Sequence, residues 1–148
     1  MSKQLNIETG LQEYELNDAV TLKFNPTDSF FVERMYNACM ELDKKQRGYE
    51  AKAEAIKDDV KAVIELNHDM DAAMREIMNG LFDMDICTPL VGEMNVNALA
   101  AGFPIWANIM AALFDEIDDT TLTEAKLSRE RVDKYTKKYN KASKRYNR

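Results

Sequence analysis

A mainly α-helical fold with a small N-terminal β-hairpin is what this sequence predicts, on three observations. Apolar residues recur every second position up to Phe24, then three and four positions apart from Val32 onward. Glycine and proline are scarce, five and three residues respectively, which favours long uninterrupted helices over a loop-rich β fold. Hydrophobic residues make up 45% of the chain and charged residues 31%, the balance of a folded chain rather than a disordered one. The length fits a single domain over 1–148 that buries about two-thirds of its unfolded surface.

The hairpin is read over residues 1–25. Leu5 and Ile7, then Tyr14 and Leu16, then Val20, Leu22 and Phe24 alternate with polar neighbours, with Gly10 and Asn17-Asp18 as boundaries. A two-residue loop at Asn17 and Asp18 would mix the two faces. A three-residue loop from Asn17 to Ala19 instead pairs Leu16 with Val20 and Tyr14 with Leu22, putting every apolar side chain on one face. So small a hairpin must lean on something larger.

"KFNPTDSFF" at 23–31 marks the change of period. Asn25 reads as a helix N-cap, Pro26 as the first helical residue and Asp28 as a carboxylate facing the helix dipole. Phe30 and Phe31 are expected to dock the hairpin on the helix. Residues 26–80 then read as one long helical arm. From Val32, Met35, Cys39 and Leu42 to Met74, Ile77 and Leu81, thirteen of fifteen positions at three-four spacing are apolar or aromatic. Unbroken, the arm would be about 80 Å long. Gly48 is the one plausible break, and a lone glycine costs only about 1 kcal/mol, so the arm is expected to run through it. Gln46 and Asn67, the two exceptions, sit where a polar side chain can fix register.

Gly80, Pro89 and Gly92 make 81–96 a breaker loop. An apolar helix over 97–118 follows, capped by Asn95 or Asn97, with Pro104 either kinking it or marking its true first turn. Apolar on most sides, it is expected to be the buried centre of a helical bundle or coiled coil. "TLTE" at 121–124 has the form of a capping box opening a last helix over 121–147. Along that helix Ala125, Ser128, Val132, Tyr135, Tyr139, Ala142 and Tyr146 keep the three-four spacing.

Charge is divided unevenly. The chain carries a net −6, yet residues 126–148 hold ten Lys and Arg against Glu130 and Asp133, a net +8, which leaves −14 on residues 1–125. The basic, tyrosine-bearing segment supplies the candidate partner-binding residues Tyr135, Tyr139, Tyr146, Lys137, Lys138 and Lys141. Their helical spacing favours packing against a partner helix over base stacking, and the acidity of the rest of the chain argues against nucleic acid as the main partner. A nucleic-acid-binding adaptor using this segment is the alternative. Nine methionines suit a deformable apolar surface, though core packing accounts for most of them.

No catalytic constellation is read. Glu65 and His68 have the Glu-x-x-His spacing of carboxylate-bridged di-metal bundles, but such sites need the motif twice and His68 is the only histidine. "DMD" at 83–85 lacks the closing glutamate of a calcium loop, since position 94 is Met. Cys39 and Cys87 lie among apolar residues and read as reduced core filler. No cofactor or metal is called for, and a non-enzymatic protein is expected. No apolar core follows Lys3, and the longest apolar stretch is interrupted by Gly102, Pro104 and Asn108, so neither a signal peptide nor a spanning helix is read. A cytoplasmic protein is the expectation.

The layout, from "YELNDAVTLKFNPTD" through the charged helix to "LFDMDICTPLVGEMNVNALAAGFPIWANIMAALFDEI", resembles the small helical proteins encoded among the tail genes of tailed bacteriophages and prophages. Tail-assembly chaperones are among them. The likeness lies in length, order of elements and style over most of the chain, and the basic C-terminal segment departs from it. The resemblance implies a protein of the bacterial host cytoplasm, free of catalytic residues, that holds a phage protein such as the tape measure protein; the apolar seam of the long arm by itself predicts self-association, a helical client, or both.

Overall fold

The structure, a computed structural model, describes the backbone of residues 1–146 and the side chains of residues 1–130 and Asp133. A hairpin of β1 (Gln12–Leu16) and β2 (Val20–Phe24) is followed by α1 (Ser29–Ile56), α2 (Val60–Phe82) and a short α3 (Cys87–Val91). A two-residue hairpin, β3 (Leu99–Ala100) and β4 (Phe103–Pro104), then leads into α4 (Ile105–Tyr146). The chain is mainly helical with a small antiparallel hairpin at its N-terminal end.

The first hairpin has the expected register, Leu16 opposite Val20 and Tyr14 opposite Leu22. Its turn closes when the Ala19 N–H donates to the Leu16 carbonyl at 2.9 Å. Asn17 and Asp18 take positive φ there, which their short polar side chains tolerate. Val20, Leu22 and Phe24 are buried while Thr21 and Lys23 face water, so alternation does set the face. Leu5 and Ile7 do not extend the sheet. No strand among the described residues pairs with them, and both are exposed.

An aromatic stack joins the hairpin to the helices. Tyr14 stacks on Phe24 at 4.6 Å, Phe24 on Phe31 at 4.5 Å, and Phe82 tilts against both phenylalanines. Phe31 therefore docks the hairpin as expected, but Phe30 does not, being 70% exposed. The cap is also displaced from Asn25 and Pro26. Helix α1 starts at Ser29, and Asp28 is its N-cap, accepting from the Phe30 N–H at 3.0 Å. Asn25 closes a turn instead: its Oδ1 accepts from the Thr27 N–H at 2.8 Å and its Nδ2 donates to the Thr9 carbonyl at 2.9 Å. Pro26 is buried within that turn.

The expected long arm is two helices. The chain runs helically through Gly48 and breaks at 57–59, where Asp59 caps α2 by accepting from the Ala62 N–H at 3.1 Å. The physical reason is burial. An arm extended in one direction would leave its apolar stripe in water, whereas folding back lays Met35 and Leu42 of α1 with Met74 and Met78 of α2 in one core, all four at 0% exposure. Gln46 does mark register, since its Oε1 accepts from the Trp106 Nε1–H of α4 at 2.8 Å. Asn67, by contrast, is exposed.

The segment 81–96 is not a plain loop, because α3 lies within it. It is held to α2 by three polar side chains four residues apart. Asp71 accepts from the Val96 N–H at 2.8 Å and pairs with Arg75 at 2.9 Å. Arg75 Nη2 in turn donates to the carbonyls of Gly92 at 2.8 Å and Met94 at 2.6 Å. Asn79 Oδ1 accepts from the N–H groups of Ile86 at 2.8 Å and Cys87 at 3.2 Å. The loop's buried backbone is thereby satisfied without a sheet.

The helix expected over 97–118 begins later, at Ile105, so Pro104 marks its start and does not kink it. Asn95 and Asn97 shape the turn before the second hairpin and cap no helix. Ala101 and Gly102, both at positive φ, close that hairpin. "TLTE" opens no new helix either. Residues 121–124 lie inside α4, where Thr123 Oγ1 donates back to the Asp119 carbonyl at 3.1 Å. Helix α4 buries one stripe, Trp106, Met110, Leu113 and Ile117, and is not a centre buried on all sides.

Replacing Asp28 by Ala should cost about 1 kcal/mol in chemical denaturation. Arg75→Leu, which leaves two carbonyls and the Asp71 carboxylate without their donor, should cost about 2 kcal/mol and speed amide exchange at Val96.

Candidate interaction surface

Neither glycine nor proline occurs after Pro104, so nothing in the sequence stops a helix once it has started at Ile105. The result is one helix of 42 residues. Its first part is held by the body through the Trp106–Ile117 stripe. The hold then ends: every residue from Thr121 to Glu130 is exposed. A helix without packing is marginal in water, because its stability comes mostly from burying an apolar face. This exposed length is the most conspicuous unpartnered feature among the described residues.

At its root lies a cleft of about 700 Å³, between the turn before α1 and its first residues (Thr27, Ser29, Val32) and α4 (Ile117, Asp118, Thr121, Leu122). Leu122 is 73% exposed on its wall. The neighbouring stretch 115–119 carries four acids, of which Asp115, Asp118 and Asp119 are exposed. Glu116 turns toward the hairpin. Burial, together with the Glu116 charge, pushes the Tyr14 phenol above its ordinary value. A second groove, about 420 Å³, runs beside the aromatic stack under a rim that includes Lys23, Asp28, Arg34 and Asp83.

The residues examined for chemistry have other work. Glu65 and His68 are exposed on α2. Asp83 ends α2 in the left-handed conformation, and Asp85 accepts from the Thr88 N–H at 3.0 Å; hydrogen bonding from the Thr88 side chain, and then from that N–H, holds its carboxyl below the usual range. Among the described residues no group of three or more His, Cys, Asp and Glu could hold a metal ion, and no helix is long and apolar enough to cross a membrane. Cys39 is half-buried and Cys87 buried, both as free thiols. Burial pushes the Cys87 thiol up to about 11 and raises that of Cys39 as well.

Tyr135, Tyr139, Tyr146, Lys137, Lys138 and Lys141 lie outside the residues whose side chains the structure describes. What sequence reasoning missed is the continuity of α4, which carries the acidic stretch and the basic segment on one rod. The absence of any Gly or Pro after Pro104 was the available signal. It also missed the Asp71–Arg75–Asn79 ladder, visible as three polar residues four apart beside the apolar seam. Comparison with family models, with curated proteins and with solved structures finds no match for this chain.

The thiols give a pH prediction. A folded-state value of about 11 against the ordinary 9.0 means that the folded chain keeps the Cys87 proton longer than the unfolded chain does. Its contribution to stability is therefore complete below pH 9 and is lost as pH rises toward 11. Cys87→Ala should flatten the fall in melting temperature over that window. In the native protein at pH 8, alkylation should reach Cys39 before Cys87.

Proposed function

We propose that this chain is a non-enzymatic assembly protein of a tailed bacteriophage or prophage, a tail-assembly chaperone or related factor that holds a helical client such as the tape measure protein. The observation that carries the reading is the half of α4 that leaves the body with every described residue exposed. A helix in that condition is stabilised by another helix laid along it, which is the helix-to-helix mode of recognition. The shallow clefts along the body and the methionine-rich core agree with a protein that works through surfaces. The bacteriophage part of the reading rests on the resemblance in layout.

A competing function, a nucleic-acid-binding adaptor, would use the net +8 of residues 126–148. The −14 on the rest of the chain opposes it, because phosphate would be repelled by most of the surface. Affinity for a helical fragment of a tape measure protein and for single- and double-stranded nucleic acid, each at two salt concentrations, separates the two. The expected result is binding of the helical fragment that survives the higher salt, with weak nucleic-acid binding. Tight nucleic-acid binding that falls steeply with salt and vanishes on deleting 126–148 would overturn the assembly reading.

A further inference from the structure

We infer that the free edge of β2 takes residues 5–8 of a second copy of this chain as a third, antiparallel strand, and that two copies exchange these segments reciprocally. The surface lies at the hairpin, apart from the exposed half of α4, so the inference goes beyond the proposed function.

Two unpartnered features of the same chain fit each other. One is the segment that leads up to Gly10. It runs without turn or bend, every residue from Met1 to Gly10 is exposed, and Leu5 and Ile7 stand 77% and 79% in solvent. Its alternation is that of a strand with nothing to pair with. The other feature is the edge of β2 that faces away from β1. A two-stranded sheet turns the N–H and C=O groups of every second residue of each strand outward. Among the described residues, no backbone group outside the hairpin bonds to β2. All four residues from Thr21 to Phe24 line the groove of about 420 Å³, together with Leu81, Phe82 and Met84. An open strand edge beside an apolar groove suits an added strand, whose backbone completes the ladder while alternate side chains fill the groove.

The chain's own segment is poorly placed to fill its own groove. Asn25 Nδ2 donates to the Thr9 carbonyl at 2.9 Å, and Gly10, at positive φ, lies so close that a side chain there would run into the Asn25 amide. This latch brings the segment to the end of β2 where Phe24 lies. Laid along its own β2 it would have to run parallel, which is the weaker ladder. A segment latched to another copy's Asn25 is free to run antiparallel. With Leu5 opposite Phe24 and Ile7 opposite Leu22, both apolar side chains fall on the buried face of β2, toward the groove. On the other face Glu8 comes opposite Thr21 and diagonal to Lys23, the charge that otherwise guards this edge. Lys3 reaches past Phe24 toward Asp28, which also lines the groove. Each copy offers the same segment and the same edge, so the exchange closes at two.

The test is sedimentation of the full chain over a range of concentrations, with circular dichroism to confirm that each variant keeps its fold. The wild type should dimerise. Leu5→Asp with Ile7→Asp, at two positions that are exposed in the single copy, should weaken the dimer by about a hundredfold or more. Next, with Cys39 replaced by Ser, copies carrying Glu8→Cys are mixed with copies carrying Thr21→Cys and oxidised. These should link to each other, whereas Glu8→Cys mixed with Thr123→Cys, on the exposed part of α4, should not. A wild type that stays monomeric, a dimer untouched by the two aspartates, or a link that forms only when both cysteines sit on one chain would overturn the exchange. The aspartate variant leaves α4 unaltered, so binding of a tape-measure helical fragment is read separately and bears on the proposed function alone.

Discussion

The folding of α1 back on α2 is the constraint from which the other contacts follow. Met35 and Leu42 meet Met74 and Met78 without residual exposure, and that meeting requires the two helices to run antiparallel. Once they do, Phe31 at the start of α1 stands beside Phe82 at the end of α2, with ring centroids 5.8 Å apart. That pair is the platform on which Phe24 stacks. The N-terminal hairpin, too small to be stable alone, therefore owes its position to a seam made far away in the sequence. Methionine suits such a seam because its unbranched side chain fills irregular gaps between helices that lack a strict repeat.

The second consequence of the α1–α2 pair is that α2 gains an edge for polar work. Its apolar stripe faces α1, and beside the stripe Asp71, Arg75 and Asn79 hold the chain between residues 86 and 96 by its backbone. The Asp71–Arg75 pair is only partly in solvent, with side chains 22% and 16% exposed, so it is screened less than a surface pair. Val96 is carried by this clamp into the core, and its carbonyl receives the Trp106 N–H at 3.0 Å. The clamp thus sets where α4 begins, and Gln46 fixes it from the other side through the Trp106 ring.

Much of this was legible residue by residue. The hairpin register could be read because only one loop length puts Tyr14, Leu16, Val20 and Leu22 on the same face. The apolar seam of the two long helices was legible for the same reason, a period of three and four. Its fold-back was not. A helix stripe records which side is buried, not whether its cover is another chain or its own continuation, and Asp58-Asp59 looks like ordinary surface until Asp59 caps a helix. Misplaced helix starts have a common cause: Asn25, Asn97 and Thr121 are good capping residues that serve other turns or stay within a helix, since a cap motif is local and a helix start is set by packing. The candidate surface was legible in its charge but not in its geometry, because the capping-box form of 121–124 masks the one signal, the lack of Gly and Pro after Pro104, that α4 crosses residues 119–121 unbroken.

The short turn at 57–59 bears on the order in which the molecule assembles. It joins the two helices of the central seam by the smallest loop in the α-helical part of the chain, so closing that seam costs less conformational entropy than any pairing with α4. A chain emerging from the ribosome can complete α1 and α2 once Phe82 is clear, and the aromatic platform for the already synthesised hairpin forms with them. Helix α4 then arrives last, onto a scaffold that is finished before it is needed.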